Sequence, residues 1–494
     1  MGFQKFFLKV YKIIQMLSCL YEFPYKLQID LPPLEWENGN MELNVLHENM
    51  LKWFETGVTR DIEHRLKALE SLESSIRKHE DQLLEALHQD LGKSREEAYA
   101  TELGIVYGEL SYTRRHLKSW MKPKKVRTAL LHFPSRSYIL KDPIGTVLIM
   151  SPWNYPVQLT LVPLIGALAA GCNAMVKPSR YSENTSIALK AIVDDAFKEQ
   201  EVSLVLGGRE VNNALMDMKW DYIFFTGSPD VGRIVASKAG EKLTPYTLEL
   251  GGKSPVVIDE SANLKIAARR LSFAKFINAG QTCVAPDYIL IHKSVRDEFV
   301  REFEKSINEM YKNPLTSETF PNIINKKHFD RLMGLLESSN VLYGGNSDQE
   351  RLRITPAIIY PVKETDPVMQ EEIFGPLMPI LEYENLDDAI RFINSRPHPL
   401  ALYIYSENKG NIGKIHSNCR FGGGCVNDSL MHLVSHHMPF GGVGDSGTGC
   451  YHGKATFDAF THEKSILSHS TKIDITLRNP PMEGKEKLFR KLLK

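Results

Sequence analysis

The chain has 494 residues, of which 43% are hydrophobic and 24% charged, as in an ordinary globular protein. Its 60 basic and 60 acidic residues balance, so no overall field favours nucleic acid or an acidic partner. The six cysteines are scattered, with no Cys-x-x-Cys pair and no zinc spacing. We therefore expect neither a disulfide framework nor a metal site, and the pattern fits a reducing, cytoplasmic compartment.

Residues 1–40 form an N-terminal extension of unknown role. Lysines interrupt its apolar run, which is too broken to span a bilayer that needs about 20 apolar residues. A disordered leader, or upstream sequence before a start at Met41, is favoured over an amphipathic helix lying on a membrane surface. The apolar stretch at 157–176 contains Gln, Pro and Asn, and predicts a helix buried in the fold rather than a membrane span.

The remaining elements follow in chain order. Spacings of three and four between apolar residues predict helices over 41–122. Residues 123–141 are β-prone and interrupted by proline, which predicts a projecting hairpin. Strands then alternate with helices, which predicts a parallel sheet covered on both faces, and "YTLELGGKSPVVI" (246–258) is predicted as one strand. A second alternating region follows Cys283, and the chain ends in a short basic tail that is predicted to be solvated, with a weaker alternative of lipid-surface contact.

The segment "FFTGSPDVGRI" ends a strand at Gly227 and places Gly232 one helical turn later. Glycine lets a backbone approach a ligand, and a helix start offers free N–H groups and a positive dipole end to a phosphate. Strand–glycine–helix junctions are also common packing devices, so this pattern alone is a weak indication of a nucleotide site. Lys177, in "VKPS", also leaves a strand and is a candidate to reach a ribose or phosphate.

Three further residues are candidates for chemistry. Cys283 lies among small and polar residues in "NAGQTCVAP", where a nucleophile, a metal ligand, half of a disulfide and a small core residue are all open readings. Glu249 ends an apolar strand in "LELGGKSP", as a functional carboxylate or as an exposed strand-end acid. Asn154 follows a strand in "SPWNYP", as a hydrogen-bond donor into a cleft or as an Asx turn before Pro156.

The motifs "PWNYP", "VKPS", "FTGSPDVG", "ELGGKSP", "NAGQTC", "QEEIFGP" and "PFGGVGDSGTG" occur in this order. Together they resemble the aldehyde dehydrogenase superfamily. "RITPAII", "YHGKATFDAFTHEKS" and "RNPP" are most similar to its class 3 branch, which acts on fatty and aromatic aldehydes. The resemblance covers about Met41 to Pro481.

The resemblance implies that Cys283 is the nucleophile, Glu249 the general base and Asn154 a donor to the oxyanion. It implies oxidation of aldehydes (medium- or long-chain aliphatic, or aromatic) to carboxylic acids with NAD or NADP, through a cysteine thiohemiacetal and thioester. The implied cofactor contacts are Lys177 at the adenosine ribose, Gly227, Ser228 and Gly232 at the pyrophosphate, and Glu372 and Phe374 at the nicotinamide ribose and ring.

Arg180 departs from the family pattern. The residue after "KPS" is usually a glutamate that accepts hydrogen bonds from the adenosine ribose and repels a 2′-phosphate. An arginine there favours the 2′-phosphate of NADP by charge-assisted pairing, or else points into solvent with NAD still used. The sequence leaves the two alternatives equal.

Two other classes of function remain as alternatives. The same cysteine, acid and amide could cleave activated esters or thioesters without a cofactor. A non-catalytic binding or structural protein on the same scaffold is disfavoured, because both the nucleophile and the base are present.

By resemblance, the fold is α/β, with a Rossmann-type cofactor domain, an α/β catalytic domain and a β oligomerisation arm, and a homodimer is expected. Contact with a membrane surface, through the N-terminal extension or the tail, is a weaker expectation. The implied division is residues 1–40, the extension; 41–122 and 142–248, the NAD(P)-binding domain; 249–440, the catalytic domain; 123–141 and 441–480, the arm and C-terminal segment; and 481–494, the basic tail.

Overall fold

A computed structural model describes residues 36–129, 132–473 and 479–492. Its contacts divide the chain into two units, Met1–Leu43 and Asn44–Lys494, and the second holds the fold and the site. Most of the predicted N-terminal extension falls outside the described residues. Within them, no helix is both long enough and apolar enough to cross a membrane.

Helices occupy most of residues 36–122, as predicted for 41–122. Buried leucines and isoleucines recur at helical spacing on the second and third of these helices. The helices, in chain order, are α1 (Trp36–Glu55), α2 (Ile62–Lys78), α3 (Glu80–Leu91), α4 (Arg95–Ala98), α5 (Gly104–Trp120), α6 (Gln158–Ala170), α7 (Glu183–Ala196), α8 (Arg209–Asp217), α9 (Pro229–Glu241), α10 (Leu264–Phe276), α11 (Arg296–Met310), α12 (Lys326–Glu337), α13 (Leu386–Asn394), α14 (Lys409–Asn418), α15 (Lys454–Ala459) and α16 (Glu486–Leu492).

Within the described ranges, the strands form two large sheets and two small ones. In chain order they are β1 (Lys124–Val126), β2 (Arg136–Pro143), β3 (Thr146–Met150), β4 (Asn173–Lys177), β5 (Val202–Leu204), β6 (Tyr222–Gly227), β7 (Tyr246–Leu250), β8 (Pro255–Ile258), β9 (Tyr288–His292), β10 (Val341–Gly344), β11 (Ser347–Asp348), β12 (Arg353–Ile354), β13 (Ala357–Ile359), β14 (Leu377–Tyr383), β15 (Ala401–Tyr405), β16 (Gly423–Val426), β17 (Gly447–Thr448) and β18 (Thr461–Ser468).

The six-stranded sheet has the order β17-β7-β6-β3-β4-β5, parallel except for β17. The seven-stranded sheet has the order β10-β13-β14-β9-β8-β15-β16, parallel except for β10. Strands β3 and β4 are buried along their whole length, which requires cover on both faces. This is the α/β architecture expected from the alternating pattern.

A separate antiparallel sheet has the order β1-β2-β18. Strand β18 pairs with β2 over eight residues, from Thr461 opposite Pro143 to Ser468 opposite Arg136. The hairpin predicted over 123–141 is therefore confirmed as β1 and β2.

Helix α6 confirms that the apolar stretch at 157–176 is internal. Every residue of α6 after Gln158 is buried, and β4 follows directly. Because the helix is apolar on all sides, it fits only between other elements of the fold.

The prediction of one strand over 246–258 is wrong. The segment forms β7 in the six-stranded sheet and β8 in the seven-stranded sheet, with Gly251–Ser254 between them. Apolar residues flank the glycines on both sides, so periodicity could not reveal that the chain changes sheets there. Strand β17 lies within the segment assigned to the arm and C-terminus, yet it pairs with β7.

Candidate active site

The segment leading to Cys283 is a tight turn in an uncommon backbone conformation. Asn278, Ala279 and Gly280 have φ of 52°, 51° and 74°, so three successive residues are left-handed. Residues with a Cβ rarely adopt this backbone conformation, because it is strained. Such strain persists only where the surrounding structure holds the backbone in place. At Gly280 a Cβ would lie 2.3 Å from the carbonyl oxygen of Gly375, so glycine is required there.

Polar contacts hold this turn from several sides. Glu97 accepts a hydrogen bond from the backbone N–H of Asn278 at 2.9 Å. The Asn278 side chain donates to the carbonyl oxygens of Asn154 at 2.9 Å and Gln281 at 3.1 Å. The Gln281 side chain in turn donates to the carbonyl oxygen of Asn322 at 2.9 Å. These contacts fix the backbone from which Cys283 projects.

Cys283 is partly exposed at the wall of a cavity of about 590 Å³. This volume lies within the range of about 300–1,000 Å³ typical of small-molecule sites. The polar groups of its wall include Glu96, Glu97, Thr101 and Gln158, and the remaining wall is largely apolar and aromatic. Its apolar wall includes Leu159, Phe273, Ile277, Met310, Tyr311, Leu430, Met431, Val434, Phe440 and Tyr451.

The surroundings of Cys283 favour the neutral thiol over the charged thiolate. Burial raises its pKa to about 12, and the nearby carboxyl groups of Glu372 and Glu249 act in the same direction. The backbone N–H groups of Cys283 and Val284 oppose that rise. The two carboxyl groups that the family resemblance assigns to base and cofactor contact thus both act on the charge of the sulfur.

Glu249 lies near the end of β7 and is 3% exposed. Neither of its carboxylate oxygens has a hydrogen-bond partner among the described residues. Burial therefore raises its pKa well above the usual glutamate value. A raised pKa makes the carboxylate a stronger proton acceptor, which suits a general base.

Asn154 is also buried, in the loop between β3 and α6. Its side-chain Nδ2 donates to the carbonyl oxygen of Gln281 at 3.1 Å, directly beside the Cys283 turn. The next residue, Tyr155, shares a hydrogen bond of 2.8 Å with the Thr282 hydroxyl. The structure thus brings the Asn154 amide and the Cys283 turn together.

Lys177 and Arg180 leave the carboxyl end of β4 together. Lys177 is buried and donates to the carbonyl oxygen of Pro178 at 2.6 Å. Burial lowers its pKa to about 8, and the charge of Arg180 adds to that effect. Arg180 is exposed, and its Nη1 would lie 3.2 Å from a Cβ added at Gly208, which precedes α8.

Gly227, Ser228 and Gly232 form the junction between β6 and α9. Ser228 caps the helix, with its hydroxyl accepting from the Val231 N–H at 3.5 Å. A Cβ at Gly232 would lie 2.6 Å from a Leu250 methyl carbon, so this glycine also has a packing reason. The N-terminus of α9 thus lies just after the carboxyl end of β6, with its Val231 and Gly232 N–H groups bonded to Ser228.

Glu372 and Phe374 lie in the loop before β14. The Glu372 carboxylate packs against Gly251, where an added Cβ would lie 2.1 Å from its Oε2. Burial, with the charge of Asp287, raises its pKa to about 8. The Phe374 ring meets Trp153, beside Asn154, edge to face at 5.3 Å between centroids. Both residues therefore lie at the same cleft as β7 and the Asn154 loop.

The sequence did not indicate that three charged residues lie near the site. Lys93, Glu97 and Glu102 fall in a segment rich in charged helix formers, where such residues usually face solvent. In the structure Lys93 and Glu102 are completely buried, and their Nζ–Oε1 distance is 2.7 Å. Glu97 is partly buried, and the resulting loss of solvent raises its pKa. Only tertiary packing distinguishes these residues from the other helical charges.

Comparisons with known proteins agree with this geometry. The aldehyde dehydrogenase family model matches residues 42–466. The chain is 47% identical to 4,4'-diaponeurosporen-aldehyde dehydrogenase of Staphylococcus aureus, over 90% of this chain and 97% of that protein. It is 44% identical to aldehyde dehydrogenase family 3 member B1 of Mus musculus, over 87% of this chain and 93% of that protein.

A solved structure described as the substrate-bound state of Staphylococcus aureus AldH superimposes with a TM-score of 0.91 at 46% identity. It covers 92% of this chain and 99% of that one. The chain belongs to the aldehyde dehydrogenase family, and its relatives place it in the class 3 branch. It is an oxidoreductase that oxidises aldehydes to carboxylic acids with a nicotinamide cofactor.

Proposed function

We propose that Cys283 is the nucleophile of this aldehyde dehydrogenase, with Glu249 as the general base and Asn154 as an oxyanion donor. What supports the proposal most is one observation: Cys283 lies at the wall of the apolar cavity, and the carboxyl groups of Glu249 and Glu372 both raise the pKa of its thiol. The neighbouring turn also carries the contact to the Asn154 amide. Nucleophile, base and donor thus come from three distant parts of the chain.

The proposed reaction begins when the Cys283 thiol gives its proton to water and the thiolate bonds to the aldehyde carbon. The carbonyl π bond breaks, which leaves a thiohemiacetal with a negatively charged oxygen. One Asn154 N–H is engaged by Gln281, and the other is free to donate to this oxygen with the Cys283 N–H. One such donor contributes about 3 kcal/mol to the transition state. The carbon then loses hydride and becomes a thioester. Glu249 takes a proton from water, which attacks the thioester and releases the acid and the thiol.

The described residues fit a dinucleotide at the carboxyl ends of β4, β6 and β7. Lys177 is a buried cation whose hydrogen bond in the structure is to a backbone oxygen, so it retains N–H groups for ribose hydroxyls. Ser228 opens α9, and the positive dipole end of this helix suits a pyrophosphate. Exposed Val231 and Ile234 on α9 and Leu206 before α8 offer apolar surface to an adenine. When bound, the cofactor supplies the hydride acceptor.

We further propose that Glu372 and Phe374 contact the nicotinamide end, with the carboxylate at the ribose hydroxyls and the ring beside the base. Their support is the position of both residues near Gly251 and Trp153, at the same cleft as Cys283. A homodimer and a cytoplasmic location complete the proposal, as predicted from the sequence, and so does the predicted division into cofactor domain, catalytic domain and arm.

The substrate class we propose is medium- or long-chain aliphatic, or aromatic, aldehydes. The apolar wall and volume of the cavity support this class, because burial of apolar surface in such a site favours binding at about 25 cal/mol per Å². One relative is named for 4,4'-diaponeurosporen-aldehyde, which belongs in the test series with short, medium and long aliphatic aldehydes.

The proposal is tested by following reduced cofactor at 340 nm with a medium-chain aldehyde and the purified chain. Cys283→Ala should abolish turnover with either cofactor, while Cys425→Ala, which removes another partly exposed thiol, should retain it. Aldehyde oxidation by Cys283→Ala would refute the nucleophile. Ester cleavage without any cofactor-dependent oxidation in the unaltered chain would favour the hydrolase instead.

Arg180 bears on the choice between NAD and NADP, and we propose that it favours NADP. Its support is an exposed guanidinium over Gly208, next to the Lys177 cation. A 2′-phosphate paired with an arginine gains charge-assisted hydrogen bonds of about 1.5–3 kcal/mol, so Arg180→Glu should lower kcat/KM for NADP at least about tenfold. Arg209→Glu is the control for charge alone. A strong NAD preference that Arg180→Glu leaves unchanged would refute the proposal.

A further inference from the structure

The buried ion pair of Lys93 and Glu102 lies beneath the Asn154 loop. Both side chains are fully buried, and no other formal charge contacts the pair by hydrogen bond among the described residues. Replacing such a pair by apolar residues is often neutral for stability, because desolvation offsets the attraction. Stability alone therefore does not explain why a buried ion pair is present here. The other contacts of Lys93 and Glu102 suggest a different role.

Glu102 holds the far end of the loop. Its Oε2 accepts the backbone N–H groups of Val157 at 2.8 Å and Gln158 at 3.1 Å. These are the cap and first residue of α6, so the carboxylate satisfies orphan N–H groups and complements the helix dipole. Its other oxygen is bonded to Lys93.

Lys93 holds the near end of the same loop. Its Nζ donates to the carbonyl oxygen of Asn154 at 3.3 Å and lies 4.1 Å from the centre of the Tyr155 ring. The Asn154 carbonyl also accepts from the Asn278 side chain. The backbone of Asn154 is thus held by two donors, while its side-chain amide is held on one side by Gln281.

We propose that Lys93 and Glu102 are positioning residues that aim the Asn154 amide at the substrate oxygen. The inference rests on the proposed role of Asn154 in oxyanion binding. The ion pair spans residues 154–158 from both ends, so the loop backbone has one arrangement relative to the Cys283 turn. An amide misplaced by a fraction of an ångström forfeits much of its effect on the transition state.

The test is a double-mutant cycle on the burst of reduced cofactor, measured in single turnover with a medium-chain aldehyde. Lys93→Met with Glu102→Gln removes both charges together and leaves no lone buried ion. We expect this pair of substitutions to slow the burst about tenfold, and Asn154→Ala alone to slow it about a hundredfold. When the two substitutions are added to Asn154→Ala, they should slow the burst by less than about twofold, because the residue through which Lys93 and Glu102 act has been removed.

Lys141→Met with Asp458→Asn is the matched control, because it neutralises a lysine–aspartate pair that joins β2 to α15. The control should leave the burst unchanged. If the charge-neutral pair does not fold, Lys93→Arg takes its place in the cycle, since it keeps the charge but displaces the donor. Lys93→Arg should likewise slow the burst in the otherwise native chain and have little effect in Asn154→Ala.

Two outcomes overturn the inference while leaving the proposed function intact. The first is an unchanged burst when the pair is altered in the otherwise native chain. The second is an equal slowing in both backgrounds, which would mean that the pair acts without Asn154. An unchanged burst in Asn154→Ala would overturn both the inference and the proposed oxyanion role.

Discussion

At the residue scale, Glu249 combines deep burial with an unpaired carboxyl group. Its pKa is raised by burial, and no positive partner offsets that cost. Below about pH 4.3, the ordinary glutamate pKa, the group is protonated in both the folded and unfolded chain. As the pH rises above that value, the unfolded chain releases the proton first, so the free energy of unfolding falls until the folded group ionises.

Glu249→Gln should therefore stabilise the protein at pH 8 but not at pH 4. A difference of about 1 kcal/mol would raise the unfolding temperature by about 2 °C at pH 8, and the difference should vanish at pH 4. Calorimetry or circular dichroism at the two pH values measures it. Glu241→Gln, at the exposed end of α9, is the control and should show no such dependence. An equal effect of Glu249→Gln at both pH values would contradict the assignment of the cost to ionisation.

Cys283 is a second case in which surroundings, rather than residue type, decide reactivity. A nucleophilic cysteine needs its thiolate, yet burial and two nearby carboxyl groups raise this pKa to about 12. Burial also raises the pKa values of these two carboxyl groups, so desolvation acts on all three groups of the site.

At the element scale, the β1-β2-β18 sheet presents two outer strands with unpaired edges among the described residues. Strand β1 is exposed throughout and β18 over most of its length, including Leu467 at 47% exposure. Exposed strand edges are templates for pairing with another chain, and natural proteins usually cover them. This geometry suits the homodimer that we propose.

We expect sedimentation equilibrium to give twice the chain mass of 56.1 kDa for the unaltered protein. Leu467→Asp should shift the equilibrium toward the monomer, because it places a charge on an apolar surface that dimerisation would bury. Ile187→Asp, on α7, is a control of equal exposure and should remain dimeric. A monomeric unaltered chain would contradict the homodimer.

At the scale of the whole molecule, the site forms where parallel strands end. Asn154 follows β3, Lys177 ends β4 and Ser228 follows β6, so three segments distant in sequence meet at one edge of the six-stranded sheet. Strand β7 carries Glu249 to the same edge before the chain crosses into the seven-stranded sheet. The turn that carries Cys283 then precedes β9 of that second sheet. The strand order of the two sheets therefore brings the Cys283 turn and the proposed cofactor contacts to one cleft.

The sequence by itself determined the fold class, the helical first segment, the buried helix at 157–176 and the family. Each of these follows from local periodicity or from an ordered set of short motifs. Both can be identified in the sequence without any knowledge of tertiary contacts. In the structure the Asn154 amide donates to the Gln281 carbonyl, two residues before Cys283. The roles proposed for both residues remain predictions.

Only the tertiary structure decided the rest. The separation of β7 from β8 depends on which neighbours each strand pairs with, and the same apolar pattern serves either sheet. The burial of Lys93 and Glu102 depends on the loop packed above them, since a charged helix residue looks alike in sequence whether it is solvated or enclosed. The raised pKa of Glu249 arises from desolvation, a property of the surrounding volume. Pattern along the chain thus reveals periodicity and chemical type, whereas pairing, burial and electrostatic environment exist only between segments distant in sequence.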